Sequence, residues 1–223
     1  MDYRIVRPDV FPPFDILGGR ANIIAIEKPS ALYSFVAELS GQISGENGLI
    51  VLSRNGEVLN LSSKAELITQ YFPLELNGKR MLNKLYGYFE KKAMSPEMFE
   101  EIVKLNTAVN GFMNRLTGGE LLDTCFGNVN PVSLFKAVEL KIDDCSCNLE
   151  ERVIDYMTNV CELEGERIFF FLNLLRFIDK EKRTSFFETV VCHGFSAVYI
   201  EASSVEPMPI VNQMIIDEDY CII

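Results

Sequence analysis

An α/β fold, a mostly parallel sheet interrupted by an inserted α-helical segment, is the architecture this chain predicts. Two observations predict it. Short apolar runs such as Asn22 to Glu27 (NIIAIE), Ile168 to Leu172 (IFFFL) and Ala197 to Ile200 (AVYI) alternate with single amphipathic helices, as a sheet with helices on its faces requires. Between them, Asn77 to Asp123 reads as two consecutive helices and nothing else.

Taken in order, Arg4 to Val6 predicts a short edge strand, because Pro8, Pro12 and Pro13 follow it and proline cannot donate to a sheet ladder. Gly18-Gly19-Arg20 is a turn into the buried strand 22–27. Pro29 and Ser30 open a helix with Leu32, Phe35, Val36 and Leu39 on one face, ending before Gly41. Leu49 to Leu52 (LIVL) then gives a βαβ-like opening, although Arg54-Asn55-Gly56-Glu57 predicts a tight hairpin into Val58 to Leu61 and hence a small antiparallel flap. Ala65 to Tyr71 fits a strand or a short helix, ended by Pro73.

In the helical stretch, Met81, Leu82, Leu85, Tyr86 and Phe89 make one flank of the first helix, and Arg80, Lys84 and Lys91 make another. Ser95 as N-cap, Pro96 and Glu97 start the second helix. That helix carries Met98, Ile102, Leu105, Val109, Phe112 and Leu116 at alternating steps of four and three, the spacing of a helix-pairing seam. Asn130-Pro131 caps a short helix to Val138, and Glu139 to Ile142 is expected as a strand. Leu149 to Leu163 is helical, with Val153, Ile154, Met157, Val160 and Cys161 inward. IFFFL is apolar at every residue, as a strand covered on both faces must be. A helix over Asp179 to Cys192 and strands at 197–200, 214–216 and 220–223 complete the chain. The expected division is an α/β head, 1–76 with 139–223, and a helical insertion, 77–138.

The 223 residues are 48% hydrophobic, enough for a real core. No apolar run approaches the roughly 18–20 residues of a membrane span, and Met1-Asp2-Tyr3-Arg4 lacks the apolar centre of a signal peptide, so a cytoplasmic protein with no membrane partner is expected. Six cysteines are too few for a disulfide scaffold and are assigned to packing. A net charge of −11 taken whole argues against nucleic acid. The distribution says otherwise: Lys79 to Lys92 holds five basic residues and one acid, Glu90, whereas no Lys or Arg follows Arg183. A solvated helix face is the competing reading of that cluster.

Motifs for chemistry are sparse. Neither GxxxxGK[ST] nor GxGxxG occurs, and IFFFL is followed by Asn173 where a magnesium-dependent ATPase wants an aspartate, so no nucleotide is expected. His193 is adjacent to Cys192, a poor geometry for a dyad, and reads as a surface or capping residue. Cys145 and Cys147 with Asp143 and Asp144 amount to half a metal site. Asp217-Glu218-Asp219 is an acidic cluster that would suit a divalent cation in a nuclease, or simply a solvated turn.

The closing stretch Met214-Ile215-Ile216-Asp217-Glu218-Asp219-Tyr220-Cys221-Ile222-Ile223 resembles the "ILDEDY" plus apolar strand that ends the type II-A CRISPR-associated Csn-two family. Ile16-Leu17-Gly18-Gly19 followed by Ile23 to Glu27 is similar to that family's "PLRGG" turn and first buried strand. The resemblance implies an α/β head like a P-loop ATPase core without its phosphate loop, with an inserted helical leg. It implies homotetrameric rings that take double-stranded DNA ends through the central hole without catalysis. It implies a role in spacer acquisition alongside CRISPR integrase proteins and the RNA-guided effector nuclease.

On that reading Arg80, Lys84, Lys91 and Lys92 are the first candidates for phosphate contacts, followed by Lys79, Lys104 and Arg115. The seam from Met98 to Leu116 becomes the oligomerisation surface. The family's calcium-bound members carry a dense Asp/Glu run where the leg returns to the head, whereas 118–128 here keeps only Glu120 and Asp123. Those two with backbone carbonyls would make a weak Ca²⁺ site, or Leu121, Leu122 and Phe126 hold the junction by packing instead. Two other classes stay open: a metal-dependent nuclease or phosphatase using Asp217, Glu218 and Asp219, and a scaffold that docks proteins through the seam.

Overall fold

The structure is a computed structural model and describes residues 3–8, 10–146 and 148–222. It divides into two compact units, residues 1–74 with 146–223, and residues 75–145. The first is a mixed α/β body with two sheets.

The larger sheet has five parallel strands. In spatial order they are β6 (Ala65–Ile68), β7 (Ile168–Leu172), β8 (Ser196–Glu201), β3 (Ala21–Ile26) and β9 (Val211–Ile216). All six residues of β3 are buried, because strands lie on both its sides and packed side chains on both its faces. Its single polar residue, Asn22, is explained by the preceding turn. The Asn22 Oδ1 accepts from the Leu17 N–H at 2.8 Å, while its Nδ2 donates to the carbonyls of Leu17 and Arg20 at 3.2 and 3.0 Å. Gly19, at φ +86°, gives that turn the left-handed residue it needs.

The smaller sheet is antiparallel, in the order β2 (Phe11–Ile16), β1 (Tyr3–Arg7), β4 (Val51–Arg54), β5 (Glu57–Leu59). Two expectations change here. The Tyr3–Arg7 strand is interior; the edge is β2, which contains Pro12 and Pro13 where the register shifts, and there the missing N–H groups cost nothing. The LIVL run continues into β4, which pairs with β1 and not with β3, so the opening is not a βαβ unit. The hairpin forms as expected at Asn55 (φ 52°) and Gly56 (φ +84°), the two left-handed residues of a tight turn.

Helix α1 (Pro29–Ile43) runs beyond Gly41. A single turn, α2 (Leu61–Lys64), is capped by the Asn60 side chain and leads into β6, resolving 65–71 as a strand of four residues. Helix α6 (Leu149–Glu164) buries Val153, Tyr156, Met157 and Val160, with Ile154 and Cys161 only half-buried; α7 (Lys180–Cys192) buries Phe186, Phe187 and Val190. One core joins Tyr3, Ile5, Phe11 and Phe14 of the small sheet to Ile24, Ile26, Ile168, Phe170 and Val198 of the large one, with Phe35 and Leu39 of α1. On the opposite face of β7 and β8, Phe171 stacks on Phe169 and on Tyr199, and Tyr199 meets Phe186 edge-on and Phe187 at a tilt, the Phe187–Tyr199 centroids being 5.2 Å apart.

After β9 the chain makes one bridge, Ile216 to Ile222, in place of the expected strand over 220–223; Ile223 lies outside the described residues. No helix among the described residues is long and apolar enough to cross a membrane.

At the C-terminal end of β8 the buried Glu201 Oε1 accepts from the Leu175 N–H at 3.0 Å. Burial pushes its carboxyl up to about 7, against the opposing pull of that N–H and of Arg176 and Arg183. The folded state therefore holds a proton that the unfolded chain releases near the ordinary value of 4.5, and stability declines as pH rises from there towards 7. Thermal unfolding is expected to show a loss of about 3 kcal/mol across that window. Glu201→Gln should abolish the dependence; an unchanged profile would assign it to other groups.

Candidate nucleic-acid interface

Residues 75–145 form the helical unit. Helix α3 (Lys79–Ala93) starts after Gly78 without a side-chain cap and ends with Lys91 and Lys92 in its last turn, where cations oppose the negative end of the helix dipole. Met81 and Leu85 are buried. Tyr86 and Phe89 lie 6.3 and 6.4 Å, centroid to centroid, from Phe135 of α5 (Pro131–Ala137). Asn130 caps α5 by accepting from the Ser133 N–H at 3.1 Å. The expected strand 139–142 does not form. Glu139 is left-handed at φ 53°, and the Ile142 N–H donates to the Asn77 Oδ1 at 2.8 Å, while the Asn77 Nδ2 donates to the Ile142 carbonyl at 3.0 Å. This amide clip supplies the hydrogen bonds a ladder would have supplied.

Lys79, Arg80, Lys84, Lys91 and Lys92 are all exposed. At about 100° per residue, Arg80, Lys84 and Lys91 fall within roughly 40° of one another and about 100° from the buried Met81–Leu85 side. Lys79 and Lys92 flank this stripe at the two helix ends. Lys84, Lys91 and Lys92 have no carboxylate partner among the described residues. Lys104 and Arg115 are exposed on a different helix, α4 (Phe99–Thr117). Lys104 is already paired with Glu101 at 2.9 Å, which weakens its case as a phosphate ligand.

Before α4, Pro96–Met98 is a 3₁₀ turn, and Ser95 makes no side-chain cap bond to the backbone. Instead the Ser95 hydroxyl donates to Glu97, holding that carboxyl below its usual range. None of the α4 residues is buried. Of the seam, Ile102, Leu105 and Val109 are half-covered, whereas Met98, Phe112 and Leu116 are exposed, the last two at 56% and 60%. Phe99 and Val103 are exposed as well. An apolar surface of this extent is unusual for a chain that stays alone.

Glu120 and Asp123 are exposed in the irregular segment after α4, and among the described residues no three His, Cys, Asp or Glu side chains are placed to hold a metal. Calcium needs about six to eight oxygens, more than these two side chains supply without backbone carbonyls or other ligands. Nor does apolar packing replace it, since Leu121 and Leu122 are among the most exposed residues and Phe126 is 39% exposed. Asp217 Oδ1 accepts from the N–H groups of Asp219 and Cys221 at 2.9 and 2.8 Å, which makes this acid part of a turn. The Cys145 thiol donates to Asp143, and Cys147 lies outside the described residues. His193 ends α7 with Nδ1 2.8 Å from the Thr189 carbonyl, stacked on Phe195.

Two supporting residues escape sequence reasoning. Asn77 precedes a helix, as a cap would, but its partner is 65 positions away. Phe135 belongs to a helix too short to show a period.

A parallel-sheet α/β body with an inserted helical unit bearing one basic helix and one amphipathic helix whose apolar seam is only half-covered is the class of protein these features define. The model of the CRISPR-associated protein (Cas_Csn2) family matches residues 42–220, and the chain belongs to that family. Among solved structures it is similar to a bacterial Atm1-family ABC exporter with ATP bound, at 13% identity and a TM-score of 0.38, over 89% of this chain and 34% of the exporter's. It is also similar to a Pyrococcus furiosus protein described as an ABC transporter ATP-binding protein, at 11% identity and a TM-score of 0.41, over 96% and 97%.

Removing the amide clip with Asn77→Ala leaves the Ile142 N–H and C=O without their partner. Chemical denaturation of the variant is expected to show a loss of about 1–3 kcal/mol. An unaltered midpoint would mean that water replaces both bonds.

Proposed function

We propose that this CRISPR-associated protein is a non-catalytic, sequence-independent binder of double-stranded DNA ends. It acts as a homotetrameric ring in spacer acquisition, together with CRISPR integrase proteins and the RNA-guided effector nuclease. The observation that carries the reading is the exposed stripe Arg80, Lys84 and Lys91, flanked by Lys79 and Lys92, in a chain whose net charge is −11. Cations gathered on one helix face give phosphates a local partner while the rest of the surface repels them, which suits a duplex held along a defined track. Family membership supports the CRISPR setting, and the half-covered α4 seam supports self-association.

The seam also favours a second reading, a scaffold that docks other proteins and never touches DNA. The nuclease reading is weaker, because Asp217 is committed to its turn.

A gel shift with linear and closed circular duplex, repeated across salt, separates these. Linear DNA should bind preferentially, with affinity falling steeply as salt rises. Lys84→Glu combined with Lys91→Glu should weaken binding for every sequence and reduce the log–log salt slope by about 1 for each phosphate that is no longer neutralised. Equal binding to closed circles, or binding that persists at high salt, would rule out end capture through the stripe.

Leu105→Asp with Val109→Asp is expected to lower the molar mass measured by light scattering from tetramer to smaller species. An unchanged mass would leave the seam to other proteins.

A further inference from the structure

The basic stripe of α3 has a gap that the fold does not explain. Gly87 sits in the middle of the helix, where glycine is a poorer helix former than alanine. Two reasons normally justify such a residue, and neither holds. Its backbone is helical and it is not among the glycines at positive φ. A Cβ built on it meets nothing within 4 Å. By contrast, a Cβ on Gly118 would lie 2.8 Å from the Asn114 carbonyl oxygen, and one on Gly48 would lie 2.5 Å from the Gln42 side chain. Those two glycines are required by their surroundings; Gly87 is not.

Its place on the helix is specific. At about 100° per residue Gly87 lies within roughly 20–60° of Arg80, Lys84 and Lys91, and at about 1.5 Å rise per residue it falls roughly 4.5 Å beyond Lys84 and 6 Å short of Lys91. The stripe therefore has a bare backbone floor between two unpaired ammonium groups. A sugar-phosphate strand is the ligand whose chemistry fits, being negatively charged, periodic and able to lie flat on a surface without side-chain specificity. We infer that Gly87 is the contact floor of the duplex track: it lets one DNA strand approach the α3 backbone closely, with Lys84 and Lys91 gripping phosphates on either side.

This inference rests on the DNA-binding reading above, and the experiment keeps the two apart. Gly87→Ala, Gly87→Leu and Lys84→Ala are compared with the parent chain by fluorescence anisotropy on a blunt-ended labelled duplex, by thermal unfolding and by light scattering. Gly87→Ala should unfold no earlier than the parent, keep its molar mass, and bind about threefold more weakly; Gly87→Leu should bind about tenfold or more weakly. Should Gly87→Leu fail to fold, Gly87→Ser takes its place.

If both glycine variants bind like the parent while Lys84→Ala is weakened, the track reading stands and the floor is refuted. A glycine variant of altered molar mass would make Gly87 a subunit-packing residue and equally refute it. If the parent does not bind duplex, or Lys84→Ala and the glycine variants all bind like it, the DNA reading itself is overturned.

Discussion

A parallel sheet that contains a strand apolar on every residue, β7, has to be covered on both faces there, and the rest of the body follows from that requirement. Ile168 and Phe170 of β7 enter the core that the antiparallel sheet and α1 close, while Phe169 and Phe171 turn to the aromatic layer around Tyr199, Phe186 and Phe187. The small sheet is thus more than an edge decoration. Tyr3, Ile5, Phe11 and Phe14 serve the large sheet, and the Tyr3 hydroxyl donates to Glu166 at 3.0 Å while Arg54 reaches the same carboxylate at 3.1 Å. Burial, together with that carboxylate, pushes the Tyr3 hydroxyl up to about 12, so it remains a donor at any physiological pH.

The helical unit is held together differently. Its α3 and α5 supply a modest aromatic contact through Phe135, but no residue of α4 is fully buried and its seam is only half-covered by its own chain. Helices of this length are held chiefly by burying an apolar face, so α4 depends on whatever covers the seam. Basic and apolar surfaces are placed on separate helices. A partner at the seam and an anion on the stripe therefore need not compete for the same side chains.

Much of this is legible in the residues. IFFFL can only be a doubly covered strand, Asn55-Gly56 can only be a tight turn, and the four–three spacing from Met98 to Leu116 marks one helix face whatever covers it. Pairing partners are less legible, because alternation tells which face a side chain takes and not which strand lies alongside. Hence Tyr3–Arg7 reads as an edge and LIVL as a neighbour of β3, and neither is so. Glu139 to Ile142 looks like a strand by composition, but a left-handed Glu139 and the distant Asn77 amide decide otherwise. At the candidate site the charge cluster is visible in the sequence. The pairing of Lys104, on the other helix, with Glu101 needs coordinates, as does the exposure of Leu121 and Leu122.

The Asn77–Ile142 clip also bears on how the chain finds its fold. β6 and β7 are neighbours in the sheet, yet residues 69–167 separate them. Closing a connection of that length costs about 2 kcal/mol more chain entropy than the dozen residues of an ordinary crossover, at about 0.6 kcal/mol per doubling. Once residues 77 and 142 are joined, the open part shrinks to the short segment before the clip and the α6 segment after it. An insertion that fastens its two ends together presents the sheet with a connection little longer than a conventional βαβ link. The body can thus carry the helical unit without losing the register of β6 against β7.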